Sequence, residues 1–143
     1  MKKYLKNQRG LTLVELLAVI VILGIIAAIA IPSIGGIIEN SKYKAAKADA
    51  INIINAGNLY FTDNPSETSV TVENLKAEGY LDSIGVFTTD TSSKVEKDAN
   101  GNKITGTVTY TDGKTVEFEG ENVAKINDDK QRGSASGDKT ISP

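Results

Sequence analysis

The chain has 143 residues, 16 of them Lys or Arg and 18 Asp or Glu, for a net charge of −2. It contains neither histidine nor cysteine, which excludes disulfides, thiolate chemistry, zinc–sulfur sites, a lipoprotein anchor and the commonest general base. Taking away the four positive charges of Lys2, Lys3, Lys6 and Arg9 leaves residues 11–143 at −6, a poor surface for general nucleic-acid binding.

Residues 16–38 form a run of 23 without a charge, longer than the about 20 that a helix needs to cross a bilayer. The basic residues in front of it keep the N-terminus in the cytoplasm. Such a run is either a lasting anchor or a cleaved secretory signal, for which Ala28-Ile29-Ala30 would be an A-x-A-like site. Against cleavage there, Pro32 lies just past the cut and the apolar core is longer than signal cores usually are. One acid, Glu15, stands at the mouth of the run. A carboxylate at the bilayer centre costs about 2.5–3.5 kcal/mol. Near the end the cost is lower, but the group still requires a partner.

Arg9-Gly10-Leu11-Thr12-Leu13-Val14-Glu15 resembles the class III leader of type IV prepilins and pseudopilins. That pattern is a basic residue, Gly, a hydrophobic residue, Thr, Leu, any residue and Glu, followed by an apolar helix. Leu11 stands where Phe is commonest, and Gly24 and Pro32 fall at spacings usual for pilins; the resemblance covers residues 8–34. It implies that a membrane-embedded prepilin peptidase removes residues 1–10, cutting between Gly10 and Leu11, and methylates the new amine of Leu11. It also implies that Glu15 meets the amine of a neighbouring subunit and so sets the register of a filament. The chemistry is consistent. A glycine at the cut lets a catalytic centre approach the backbone closely, and Leu11 and Glu15 stand at the i,i+4 spacing. The competing reading is that Glu15 only marks the membrane edge.

Beyond the span, Tyr43, Ala46, Ala50, Ile54, Gly57 and Phe61 follow spacings of 3, 4, 4, 3 and 4, one face of an amphipathic helix over 39–61, with Ile53 at its border. Pro32, Gly35 and Gly36, with Ser33, interrupt the pattern and predict a bend. The resemblance implies a hinge or melted segment there in assembled filaments. Lys42, Lys44 and Lys47 form a basic cluster that reads as a solvated face or headgroup contact rather than a DNA site.

Asn64-Pro65 ends the helix, and residues 62–127 read as a small head. "TVENLKAEGYLDS" predicts a short helix with Thr71 as N-cap and Gly79 as the residue just past its end, turning Leu75, Tyr80 and Leu81 inward. Its Leu-x-x-x-Gly-Tyr-Leu pattern resembles Gram-positive competence pseudopilins. Ile104, Gly106, Val108 and Tyr110 alternate with threonines, and Val116 and Phe118 with Glu117 and Glu119, which predicts half-buried strands. Asp112-Gly113 is a hairpin signal and Asn100-Gly101 a turn. With a strand near 93–97, a three-stranded antiparallel meander would lie on the Tyr43–Phe61 stripe. The loop 98–102 departs from a calcium-binding EF-hand, with Gly fourth and Thr109 twelfth, and reads as a turn. Residues 128–143, polar and Gly/Ser-rich with one isoleucine, read as a disordered tail.

The expected fold class is therefore α+β, pilin-like: a long helix packed by its second half on a small antiparallel sheet. The expected function is a structural subunit polymerised into a type IV pilus-like surface filament. The alternative is a membrane-anchored extracellular binding domain that does not polymerise. An enzyme is not expected, since no Ser/His/Asp set, metal cluster or phosphate loop is present, and neither cofactor nor metal is expected. Expected partners are the prepilin peptidase, further copies of the chain, other pilins and, before assembly, the inner or cytoplasmic membrane. Without cysteines for the disulfide loop of many Gram-negative pilins, or an evident calcium loop, the resemblance leans to a Gram-positive pilus or competence filament.

Overall fold

The computed structural model describes residues 2–88 and 92–142; the basic side chains of residues 2–9 lie outside the described residues. The element order is α1 (Lys2–Asp63), β1 (Ser69–Thr71), α2 (Val72–Ala77), β2 (Lys94–Glu96), β3 (Lys103–Thr111), β4 (Lys114–Glu121), α3 (Val123–Asp128) and β5 (Lys139–Ile141). The residues form two compact units, one ending at Ile37 and the other beginning at Ile38.

The first unit is helical. It includes Pro32, and the helical assignment continues through Gly35 and Gly36. Every large apolar side chain from residue 11 to residue 38 is at least half exposed. Within the unit there is no second element to cover them.

The second unit is built on residues 38–63 of α1. The six predicted stripe residues are buried, as are Ile53, Ala56 and Tyr60. The helix stops where Pro65 forbids its continuation. The Asn64 amide donates to the Tyr60 carbonyl at 2.8 Å, and the Asn64 side chain donates to the same oxygen at 3.1 Å. The stripe forms one core with the inward residues of the sheet, among them Val95, Ile104, Val108, Tyr110, Val116 and Phe118. Tyr43 stacks at a tilt on Tyr110 with ring centres 5.3 Å apart. Gly57 lets the helix approach the sheet, because a Cβ there would fall 2.8 Å from Val95 Cγ1.

Short helix α2 is capped as its sequence predicts. Thr71 Oγ1 accepts from the Asn74 amide at 3.2 Å. At its end Gly79 has φ of 81°, and the amides of Gly79 and Tyr80 return to the carbonyls of Lys76 and Leu75. Leu75 and Leu81 are buried and Tyr80 is half-buried.

The sheet has five strands in the order β1-β2-β3-β4-β5. The first four are antiparallel neighbours and β5 joins β4 in parallel. The predicted meander is β2, β3 and β4, with Asp112-Gly113 as the two-residue turn between Thr111 and Lys114. Strands β1 and β5 extend it at either side. The expectation of a disordered tail over 128–143 is corrected. Residues 139–141 form β5, and Ile141 pairs with Phe118 and is buried. Composition misjudged the tail because it contributes one apolar anchor to a core that other elements had already built.

One irregularity decides the end of β4. Ile104 faces Glu121 while Thr105 faces Glu119, so Gly120, at φ of 93°, is an extra residue on the β4 side. The bulge reverses the in–out phase. Glu121 therefore turns inward, 1% exposed, with neither carboxylate oxygen hydrogen-bonded.

Candidate assembly site

Gly10, Leu11 and Glu15 lie on one continuous helical stretch. Leu11 and Glu15 are both exposed and, four residues apart, share a face. Glu15 is the only charged residue between Gly10 and Ile38. It stands on a helix whose apolar side chains point outward on all sides, from Leu11 at 66% exposure to Ile38 at 50%. This helix is long and apolar enough to cross a membrane. A Cβ built at Gly10, Gly24 or Gly35 would meet nothing within 4 Å. No packing inside the chain therefore requires glycine at those positions, in contrast to Gly57.

Where α1 enters the second unit, a polar cluster fixes the loop after α3 to the helix. Asp129 Oδ2 accepts from the Tyr43 hydroxyl at 2.7 Å and from Lys47 Nζ at 3.0 Å, and the Asp129 carbonyl accepts from Lys47 at 2.8 Å. Burial pushes the Asp129 carboxyl upward, but hydrogen bonds from Tyr43, Lys47 and Gln131 outweigh it and leave the group below its ordinary value. Burial, and then the bond to Asp129, push the Tyr43 hydroxyl well above its usual range. Four residues on, the Gly133 carbonyl accepts from Tyr110 at 3.0 Å. A Cβ at Gly133 would fall 2.5 Å from the Glu39 carbonyl oxygen and 2.5 Å from Tyr43 Cβ. Lys114 bridges to Glu39 at 2.7 Å, and the Ser134 amide donates to Asn40 at 3.1 Å.

Sequence reasoning placed Tyr43 correctly and missed its partners. Asp129 and Gly133 stand in the polar stretch that read as disordered, and no local pattern marks them. In the loop 98–102, the Asp98 oxygens are engaged by Lys103 at 2.8 Å and by the Asn100 amide at 2.8 Å. Among the described residues, no group of three or more acidic residues is arranged to hold a metal ion.

Comparison with known proteins marks the N-terminal segment. A family model described as "Prokaryotic N-terminal methylation motif" matches residues 5–31. The chain is similar to "Type II secretion system core protein G" of Pectobacterium carotovorum subsp. carotovorum, 39% identical over 71 residues, which is 50% of this chain and 45% of the relative. It is similar to the protein so named in Escherichia coli (strain K12), 39% identical over 58 residues, 41% of this chain and 40% of the relative. In Klebsiella pneumoniae the figures are 34% over 73 residues, 51% of each chain. The chain thus spans about half the length of these curated relatives. No solved structure matches. On residues 5–31 the chain carries the prokaryotic N-terminal methylation motif, and over about half its length it is similar to type II secretion system core proteins G.

Proposed function

We propose that this chain is a structural, non-catalytic subunit. Prepilin peptidase cuts it between Gly10 and Leu11, methylates Leu11, and the mature subunit polymerises through residues 11–38 into a pilus-like filament at the cell surface. The observation that supports this most is Glu15. It is a lone carboxylate on a fully open apolar helix, four residues from the amine that cleavage would create. Membrane lipid shelters the apolar surface before assembly, and helices of other copies or other pilins replace the lipid afterwards. The carboxylate meets a neighbour's Leu11 amine, an ion pair that forms only between processed subunits. In the filament, Pro32, Gly35 and Gly36 supply the point where the helix bends or locally melts.

Mass spectrometry of surface filaments from a strain expressing the protein tests the reading. A mature N-terminus at methylated Leu11 is the expected result. An N-terminus at Met1 or Ile31 would sink it.

A second reading is a pseudopilus subunit confined to a secretion apparatus. It is favoured by the printed names of the relatives, which are secretion-system core proteins. Labelling of intact cells separates the two: a surface filament carries label along its length and a confined pseudopilus does not. An anchored binding domain that never polymerises is the third reading, and it predicts that residues 1–10 stay attached.

A further inference from the structure

We propose that the cleft between α1 and the loop after α3 receives the acidic outer face of β4 on a second copy of this chain. The cleft has a volume of about 310 Å³, and its lining includes Tyr43, Lys44, Lys47, Asp129, Lys130 and Arg132. Lys47 is paired with Asp129, whose carboxylate also accepts from Tyr43. Lys44, Lys130 and Arg132 have no ion-pair or side-chain hydrogen-bond partner among the described residues. All three are exposed. The concavity therefore carries three cations beyond its one internal ion pair, and Arg132 can engage both oxygens of a carboxylate at once.

The complementary surface is on the other side of the sheet. Glu117 and Glu119 alternate with the buried Val116 and Phe118, so they stand on the face of β4 turned away from α1. Both are exposed, and neither has a cation within salt-bridge distance among the described residues. Glu119 accepts from the Ser142 hydroxyl at 2.8 Å. Their cross-strand neighbours are threonines, Thr107 beside Glu117 and Thr105 beside Glu119. The nearby lysines are already paired, Lys94 with Glu96 and Lys103 with Asp98. Two carboxylates about 7 Å apart along one strand thus remain as surplus negative charge, opposite in sign to the cleft. Residues 11–143 sum to −6. That net charge opposes a long polyanion, which meets much of the surface, more than a neighbouring head that meets only this patch. Cleft and glutamates are different patches, so the contact is heterologous, and each added copy presents a fresh acidic face to the next. The inference rests on the reading that copies of the chain assemble, and adds which surfaces of the head meet.

The test uses the full-length chain, residues 1–10 attached, concentrated in neutral detergent micelles at low salt. The chain has no cysteine, so introduced thiols report without background. One copy carries Gln131→Cys in the cleft lining and the other Thr107→Cys beside Glu117. Their disulfide yield on mild oxidation is compared with that of Gln131→Cys and Ser66→Cys, an exposed position in the loop before β1. The Thr107 pair should exceed the Ser66 pair about tenfold. Lys44→Glu/Lys130→Glu/Arg132→Glu on the cleft copy, or Glu117→Lys/Glu119→Lys on the sheet copy, should each lower the yield about tenfold. Mixing the two reversed copies should restore it, which unfolded heads could not do. Equal yields at Thr107 and Ser66 would overturn the proposal. So would reversals without effect, or no recovery between reversed copies whose denaturant midpoints match the parent's; where a reversed copy is unfolded, the comparison of Thr107 with Ser66 decides alone. Shielding of the Gln131→Cys thiol from a maleimide by phosphatidylglycerol or duplex DNA, but not by the second copy, would assign the cleft to that anion instead. None of these outcomes bears on the mature N-terminus of surface filaments, which tests the filament reading separately.

Discussion

Residues 11–38 and residues 39–63 belong to one helical element but carry opposite kinds of surface. In the first, apolar side chains point to every side and all the large ones are at least half exposed. In the second, all but Leu59 of the large ones are gathered into a stripe that the chain's own sheet covers. Backbone conformation is the same in both, so it is the angular distribution of apolar groups that decides what each segment packs against. A stripe can be satisfied by one neighbour within the molecule. A helix that is apolar all round requires surroundings on every side, which only lipid or several like helices provide.

The sharpest way to break this contrast is Glu15→Ala. Cleavage after Gly10 should proceed while incorporation into filaments falls to background, as read from sheared fractions beside the membrane pool. Normal filaments would show that the first segment assembles without its acid. Stability of the head should be unaffected, since Glu15 lies in the other unit.

The next three act on the head alone and should leave processing untouched. Gly133→Val places side-chain atoms against the Glu39 carbonyl and Tyr43, and should destabilise the head by about 1–3 kcal/mol through overpacking. A denaturant midpoint unchanged from the parent would mean that the loop is not docked on the helix. Tyr43→Phe removes one hydrogen bond to Asp129 and should cost about 1 kcal/mol. Because the Asp129 carboxyl is held below its ordinary value, its contribution is present above the ordinary carboxylate range and is lost as pH falls through the lowered value. The variant should therefore lose less stability on acidification than the parent.

Glu121→Gln is the subtlest. Burial, with Glu119 nearby, raises the Glu121 carboxyl against the opposing pull of Lys125 and Lys103. Its folded form is favoured below the ordinary glutamate value, and that advantage is lost as pH rises through the raised value. Unfolding followed across a pH series should show the parent declining over this window and the variant flat. A parent curve without the decline would mean that the carboxylate reaches water.

Much of this was legible in the residues. The stripe residues, the Thr71 cap, the Gly79 terminator, the Asp112-Gly113 turn and the alternation of β3 and β4 each follow a local period or a turn chemistry that a short window contains. Strands β1 and β5 were not legible, because three residues are too few to display a period of two, and β2, equally short, was expected only as the partner needed to complete a meander with β3 and β4. The inward turn of Glu121 was hidden for a different reason. Alternation places it outside with Glu117 and Glu119, and a single inserted Gly120 reverses the phase. At the candidate site, Gly10, Leu11 and Glu15 were marked by a contiguous pattern. Asp129, Lys130 and Arg132 stand more than 80 residues from Lys44 and Lys47 in sequence and share no motif with them. Only the fold brings them together.

The strands of the sheet lie side by side in the order in which they occur along the chain. Strands β3 and β4 pair with the strand synthesised just before them across the short connections 97–102 and 112–113, so little entropy is lost there, whereas β1 and β2 are joined across residues 72–93, which contain α2. Strand β5 reaches β4 through a longer connection as well, residues 122–138, which contain α3 and the Asp129 and Gly133 that contact α1. The part of the chain synthesised last thus holds the start of the head's own helix, at Glu39, Tyr43 and Lys47.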